Sequence, residues 1–402
     1  MGDVFSSLFE MTAFGVLDFK TVIMWIIAFV LLYLGIWKEY EPLLLVPIGF
    51  GVLLANLPGA GLGIVDASAV QYADGSYMNL PEIASEYGIM NFLYYSLIKT
   101  GLLPPIIFMG VGALTDFGPM LRNLKLSFFG GAAQLGIFSV LIGAVLIGFS
   151  LNEAGSLAII GGADGPTAIY TTIKLAPHLL GPIAIAAYSY MALVPVIIPM
   201  VANLLMTEKE FKIHMRNMDK LYPPKHEIKH LKVVKIVFPI VLGVVVAVFV
   251  PSSAPLLGML LFGNLIKEIG TSTSRLAEAA SGPIMNTATI FLGLCVGATM
   301  TAEVFLSAQT LGIVVGGFLA FAISVAGGIL GVKVYNMFSH KKINPLIGAT
   351  GLSAVPMASR VANEMALKYD KSNHILQYCM ASNVSGVIGS AIAAGVLISF
   401  LG

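Results

Sequence analysis

The stretch AIIGGADGPTAIYTTIK, residues 158 to 174, sets one acid, Asp164, between glycines and a proline. In a chain that is 57% hydrophobic and 11% charged, a carboxylate in so apolar a segment needs a partner. Asp followed by Gly-Pro is a common helix start, so one reading makes Asp164 the cap of a helix beginning at Pro166. The other makes it a ligand for a hard monovalent cation, with unwound carbonyls around Gly162 and side-chain oxygens completing the shell. One carboxylate among neutral oxygens suits Na⁺ better than a divalent ion. Asn383, in ASNVSGVIGS, adds an amide within small, apolar sequence, where close helix packing is the competing explanation. Tyr188 and Tyr190, in AAYSYMALVP, are phenols far from any interface and need a hydrogen-bond partner or a proton-transfer role. Arg360, in VPMASRVANE, has the fork to grip an oxyanion, or it snorkels to an interface or pairs with Glu364 one turn on. Asn344 is a candidate cap for a helix starting at Pro345.

The elements that must position these residues follow from composition. A mean hydropathy of +0.90 over 402 residues exceeds what a soluble core absorbs, so the sequence predicts an all-α polytopic membrane protein. Net charge is +1 and the basic residues lie in a few loops, which leaves no footprint for nucleic acid. Cys295 and Cys379 are far apart in apolar sequence, giving neither a disulfide framework nor a zinc spacing, and the histidines do not cluster as ligands. Ten apolar runs approach the length of a span: 21–37, 42–57, 89–115, 127–150, 179–206, 233–250, 254–266, 283–300, 309–335 and 375–400. The third is interrupted by Lys99 and Pro104-Pro105. The loop from Pro58 to Gly88 has four acids and no Lys or Arg and is expected outside. The stretch from Thr207 to Lys235 has eight Lys or Arg against four acids and is expected inside. Threading the spans through those loops places both termini outside. It leaves 154–177 and 344–371 entering and leaving by one face each, as two re-entrant broken-helix hairpins. Arms of about ten residues would reach about 15 Å, half a bilayer.

The hairpin centres are alike, GADGPTAI at 162–169 against GATGLSAV at 348–355, which pairs Asp164 with Thr350. IFMG at 107–110 answers IFLG at 290–293, and HLLGPIAIAAYS at 178–189 faces HILQYCMASNVS at 374–385. Three matches in order at nearly one offset predict a single membrane domain, 1–402, built as two inverted repeats of about five spans each. These are 20–206 and 233–400, joined by a cytoplasmic basic loop, 207–232. In transporters of this kind, sites lie where discontinuous helices meet at the midplane.

GGADGPTAIYTTIKLAPHLLGPIAIAAYSYMALVPVI, NPLIGATGLSAVPMASRVAN and SNVSGVIGSAIAAGV together resemble the beta subunit of sodium-translocating biotin-dependent decarboxylases, from about residue 20 to the C-terminus. That family includes oxaloacetate, methylmalonyl-CoA, glutaconyl-CoA and malonate decarboxylase pumps. The resemblance implies a membrane subunit that decarboxylates carboxybiotin and exports Na⁺, with the biotin held on a partner. It carries functional roles onto Asp164, Asn344, Gly348, Ser353, Arg360 and Asn383, and a proposed proton donor onto Tyr190. Catalysis is thus expected of Asp164, Tyr190, Ser353 and Arg360. Contact with the carboxybiotin is expected of Ser353, Arg360 and Asn344, and Na⁺ ligation of Asp164, Asn383, Gly162, Gly348 and Asn344. The chain has no Met-Lys-Met-like biotinylation site, so the implied partners are a carboxyltransferase subunit, a biotin-carrier protein and a small single-span gamma or delta subunit, with a homo-oligomer possible inside the complex. The competing function is a stand-alone sodium-coupled symporter or Na⁺/H⁺ antiporter, since inverted repeats and a midplane acid occur there too.

Overall fold

A computed structural model of the chain describes residues 12–72, 74–222, 230–354 and 356–402, so part of the basic loop, 223–229, lies outside the described residues. The described chain is helical, with one isolated β-bridge, Gln71 to Tyr77, in the acidic loop. Apolar composition sets the long helices: α1 (Phe19–Ile36), α5 (Leu124–Ile147), α10 (Leu231–Phe249), α12 (Ser274–Ala298), α13 (Ala308–Phe338) and α16 (Leu376–Leu401) are each long and apolar enough to cross a membrane. Two further spans are bent. Helix α3 (Leu80–Leu93) starts at a capping box between Asn79 and Glu82, widens into a π-turn over Tyr94–Ile98, then turns by 66° into α4 (Leu103–Leu114). The break falls beside Lys99, where Gly101 takes φ +74 and Pro104-Pro105 start the new helix, as the sequence interruption predicts. The second bend joins α8 (Leu180–Ala192) to α9 (Val194–Leu205) at Leu193, ahead of Pro195.

Eight of the ten predicted spans therefore have the length to cross, alone or as a bent pair. The other two form α2 (Pro42–Ala55) and α11 (Ala254–Ile269), 14 and 16 residues that rise only about 21 and 24 Å against a core of about 30 Å. Each is nevertheless packed between two neighbours, α2 between α1 and α12 and α11 between α4 and α10. Lys235 near the start of α10 bonds Glu268 near the end of α11 at 3.0 Å, so α11 retraces α10. Glycines make the tight seams. A Cβ on Gly112 of α4 would strike the Leu260 carbonyl of α11, and one on Gly263 of α11 would strike that of Met109. The same reciprocal approach joins α2 and α12 through Gly51 and Gly297. In lipid no hydrophobic drive separates helix from solvent, so this close packing is what holds neighbours together.

Two helical hairpins complete the fold. The first is α6 (Leu151–Ala158), a 3₁₀ turn over Ile159–Gly162, and α7 (Gly165–Leu175). A capping box between Ser150 and Glu153 starts it, and Glu153 reaches His178 at 3.1 Å, so both ends of the hairpin lie together. The second is α14 (Leu346–Ala349), an irregular stretch over 350–354, and α15 (Met357–Tyr369). Its ends also lie together, because Asn344 and Asn373 both donate to the Ile213 carbonyl, at 3.2 and 3.0 Å. The first arm of this hairpin is shorter than the ten residues expected. Thr350 leaves the helix, and Gly351 is squeezed between the Phe129 carbonyl of α5 and Gly386 of α16.

Candidate functional site

The two hairpin tips meet. The Ser353 N–H donates to the Gly162 carbonyl at 2.9 Å, which fixes the second tip against the first. At the first tip Ala163 takes the left-handed conformation, φ +53, which costs an L residue about 1–2 kcal/mol and lets Asp164 adopt the extended backbone of an N-cap. The Thr167 N–H accordingly donates to Asp164 Oδ1 at 3.2 Å. The cap and the ligand readings thus describe one carboxylate with two oxygens. Only Oδ1 serves the helix, while Oδ2 faces away and receives the hydroxyls of Ser353 at 2.7 Å and Ser390 at 2.9 Å.

Asp164 is 4% exposed, and among the described residues no Lys, Arg or His pairs with it. A buried carboxylate with three donors and no countercharge is the central feature of the molecule. Asn383 lies on α16 seven residues before Ser390, so both side chains lie along one face. Its amide nitrogen donates to the carbonyls of Thr350 and Leu352 and clamps the second tip. Its Oδ1 is buried with no hydrogen-bond partner among the described residues, as is the neighbouring Ser382 hydroxyl. These are hard neutral oxygens of the type a monovalent cation takes. No cluster of three His, Cys, Asp or Glu occurs among the described residues, so the arrangement does not resemble a transition-metal or zinc centre.

The remaining expected residues divide. Gly162 contributes its carbonyl to the tip-to-tip bond, and Ser353 bonds Asp164 directly. Gly348 lies against Gly328 of α13, each too close to tolerate a Cβ on the other, and its carbonyl accepts from the Gly351 N–H. Asn344 sits at the base of the second hairpin. Its Oδ1 caps the Leu346 N–H at 3.0 Å and its amide bonds the carbonyls of Phe211 and Ile213, so its polar atoms are engaged away from Asp164. Arg360 is exposed on the first turn of α15, and its guanidinium makes no hydrogen bond or ion pair among the described residues. Tyr190 donates its hydroxyl to the Val314 carbonyl of α13 and packs edge-on to Phe318.

Two side chains at this junction, those of Ser390 and Gln134, were not singled out from sequence. Ser390 was signalled only by its seven-residue spacing from Asn383. Tyr188, expected above to need a hydrogen-bond partner or a proton-transfer role, has a fully buried hydroxyl with no partner among the described residues, and its ring covers Gly165 so tightly that a Cβ there would overlap it. Gln134, where α5 is interrupted, also has a buried, unpartnered Oε1.

A family model described as Na⁺-transporting oxaloacetate decarboxylase beta subunit matches residues 20–401. The chain is 47% identical to the methylmalonyl-CoA decarboxylase subunit beta of Propionigenium modestum, covering 98% of each. It is also 47% identical to the oxaloacetate decarboxylase beta chain of Haemophilus ducreyi, over 94% of each, and 45% identical to that of Klebsiella pneumoniae, again over 94% of each. Such identity over nearly whole chains does not favour a stand-alone symporter or antiporter. The chain belongs to the beta-subunit family of Na⁺-transporting decarboxylases and is the membrane component of such a sodium pump.

Proposed function

We propose that this subunit binds Na⁺ at Asp164, releases CO₂ from carboxybiotin brought by a partner, and couples the two by alternating access. The observation that carries the reading is the buried Asp164 carboxylate without a countercharge at the meeting of two hairpin tips. An unpaired charge at that depth costs at least about 2.5–3.5 kcal/mol, and a Na⁺ held also by neutral oxygens such as Asn383 Oδ1 offsets it. Carboxybiotin supplies the CO₂ to be released and accepts one proton per turnover. Arg360, exposed and free, and half-exposed Ser353 are the groups available to an anion approaching the second hairpin. Asp164 holds Na⁺ when ionised and gives it up when protonated from outside. The 2.7 Å bond from Ser353 to Asp164 supports Ser353 as the route by which that proton leaves, whereas the Tyr190 hydroxyl is committed to Val314. Moving one charge outward costs about 2.3 kcal/mol per 100 mV, so decarboxylation must shift the inward–outward balance by at least that much.

We infer further that the fold is two inverted repeats, 20–206 and 233–400, with one re-entrant hairpin entering from each face. Supporting this, α2 pairs with α12 as α11 pairs with α4, and α6 leans on α5 as α14 leans on α13. The tripeptide Val-Gly-Ala recurs at 111–113 and 296–298 in the seams themselves. Partners are a carboxyltransferase, a biotin-carrier protein and a small gamma or delta subunit in a bacterial cytoplasmic membrane. The acyl group handled belongs to those partners.

The test is Asp164→Asn in the assembled complex in proteoliposomes. Leaving the cation without its carboxylate should cost about 3 kcal/mol, lowering Na⁺ uptake and Na⁺-stimulated CO₂ release together by roughly a hundredfold. Normal Na⁺-dependent turnover in that variant would overturn the reading.

A further inference from the structure

We propose that Gln134 is a ligand of the transported cation, supplying its Oε1 from the interruption of α5. The inference rests on the Na⁺ site at Asp164 and names a further member of it. Gln134 falls at the interruption of α5 and is 7% exposed. Its amide nitrogen donates to the Gly130 carbonyl at 3.2 Å and to the Gly386 carbonyl of α16 at 3.4 Å. Two carbonyls on one NH₂ fix the orientation of the group, because a flipped amide would press oxygen against both. The oxygen is therefore held in one direction, and there it has no donor among the described residues.

That direction is the bare face of Gly162. Oε1 lies 4.0 Å from the point where a Cβ on Gly162 would stand, and Ser390 Cβ lies 3.1 Å from the same point. Ser390 in turn donates to Asp164 Oδ2. Gln134 Oε1, Ser390 and the Ile137 side chain thus border the bare side of Gly162, and Ser390 links that side to Asp164. Tying α5 to α16 needs only the NH₂ half of this amide. The fixed carbonyl half is free to accept from something other than the described residues, and beside Asp164 a positive charge meets that need. Asn383 repeats the pattern, its NH₂ spent on two tip carbonyls and its oxygen left free. The two amides present preoriented neutral oxygens from α5 and α16 to the two hairpin tips, which complements a single carboxylate around a monovalent ion.

Gln134→Leu keeps the bulk and removes the oxygen. In the assembled complex two quantities are read: the Na⁺ concentration giving half-maximal CO₂ release, and the Na⁺ concentration that raises the unfolding temperature, which reports binding without turnover. Both should rise about tenfold, as for loss of one neutral ligand worth about 1.4 kcal/mol. Both unchanged, whatever happens to the rate, would reduce Gln134 to a tie between helices and overturn the proposal. Asp164→Asn is run alongside: if it responds to Na⁺ as the wild type does, the parent site fails rather than this member of it. Should Gln134→Leu not assemble, a map of the Na⁺-loaded wild-type complex decides. Ion density touching Gln134 Oε1 supports the assignment, and an ion at Asp164 without that contact overturns it.

Discussion

Gly165 sits under the Tyr188 ring, and the fit leaves no room for a methyl group. Gly165→Ala should therefore cost about 1–3 kcal/mol in overpacking and lower both the unfolding midpoint and Na⁺-stimulated turnover. Adding Tyr188→Leu should restore part of the loss. A double variant no more stable than the sum of the single changes would show that the clash is not the cause. The serines can be separated in the same way. Ser353→Ala and Ser390→Ala each remove one donor from Asp164 Oδ2, and a hydrogen bond to a charged group contributes about 1.5–3 kcal/mol. If Ser353 also passes the proton, its loss should depress CO₂ release at saturating Na⁺, whereas loss of Ser390 should mainly raise the Na⁺ needed. Equal behaviour of the two would remove the relay role. At this scale Asp164 was legible because a carboxylate in an apolar run has few explanations. Ser390 and Gln134 were not, because a serine in a small-residue helix and a glutamine in a long apolar one are each ordinary until a second helix brings the carboxylate beside them.

At the scale of elements the hairpins depend on how their ends are tied. The Glu153 carboxyl, at the mouth of the first hairpin, is held down to about 2 by the bond to His178 and then by the Ser150 N–H and hydroxyl. A carboxyl lowered in the folded state contributes fully above its ordinary value of 4.5, and the contribution disappears as pH falls through about 2. The wild type should thus be more stable than Glu153→Gln at neutral pH. The difference between their unfolding midpoints should shrink between about pH 5 and about pH 2.5. A difference that stays constant over that range would exclude Glu153 as the group responsible. The ends of the second hairpin are tied through the Ile213 carbonyl shared by Asn344 and Asn373. Loop parity gave both hairpins from sequence, since the flanking spans fixed where each had to return. The four-residue first arm of the second was hidden, because its length is set by Gly351 meeting α5 and α16, a contact between segments far apart in the chain. Helices α2 and α11 are short because the sequence itself stops them, at Asn56 and at Gly270 with φ +96.

For the whole molecule, the outstanding claim is direction: hairpins entering from opposite faces require the acidic loop and the basic loop to lie on opposite sides of the membrane. The contacts divide that way. Glu153, His178 and Gln309 gather at one end, with His178 lining a cavity of about 380 Å³ together with Asp66 and Lys99 of the acidic side. Asp219, Lys341 and Asn344 gather with the described part of the basic segment at the other. Composition alone gave this polarity, because an acid-only loop and a base-rich loop carry it without any tertiary information, whereas the pairing of the two halves had to be read from three short matches. Both native cysteines are fully buried, so a membrane-impermeant thiol reagent meets little background. Single cysteines at exposed Ser85, on the acidic side, and at exposed Lys371, beyond the second hairpin, then report the orientation directly. In right-side-out vesicles Ser85→Cys should react and Lys371→Cys should not, and in inverted vesicles the two should exchange. If both react from one side, the spans do not thread as loop charge dictates, and one hairpin cannot be re-entrant. If the pattern is reversed, Arg360 and Ser353 face away from the cytoplasm, where no biotin carried on a soluble partner could reach them.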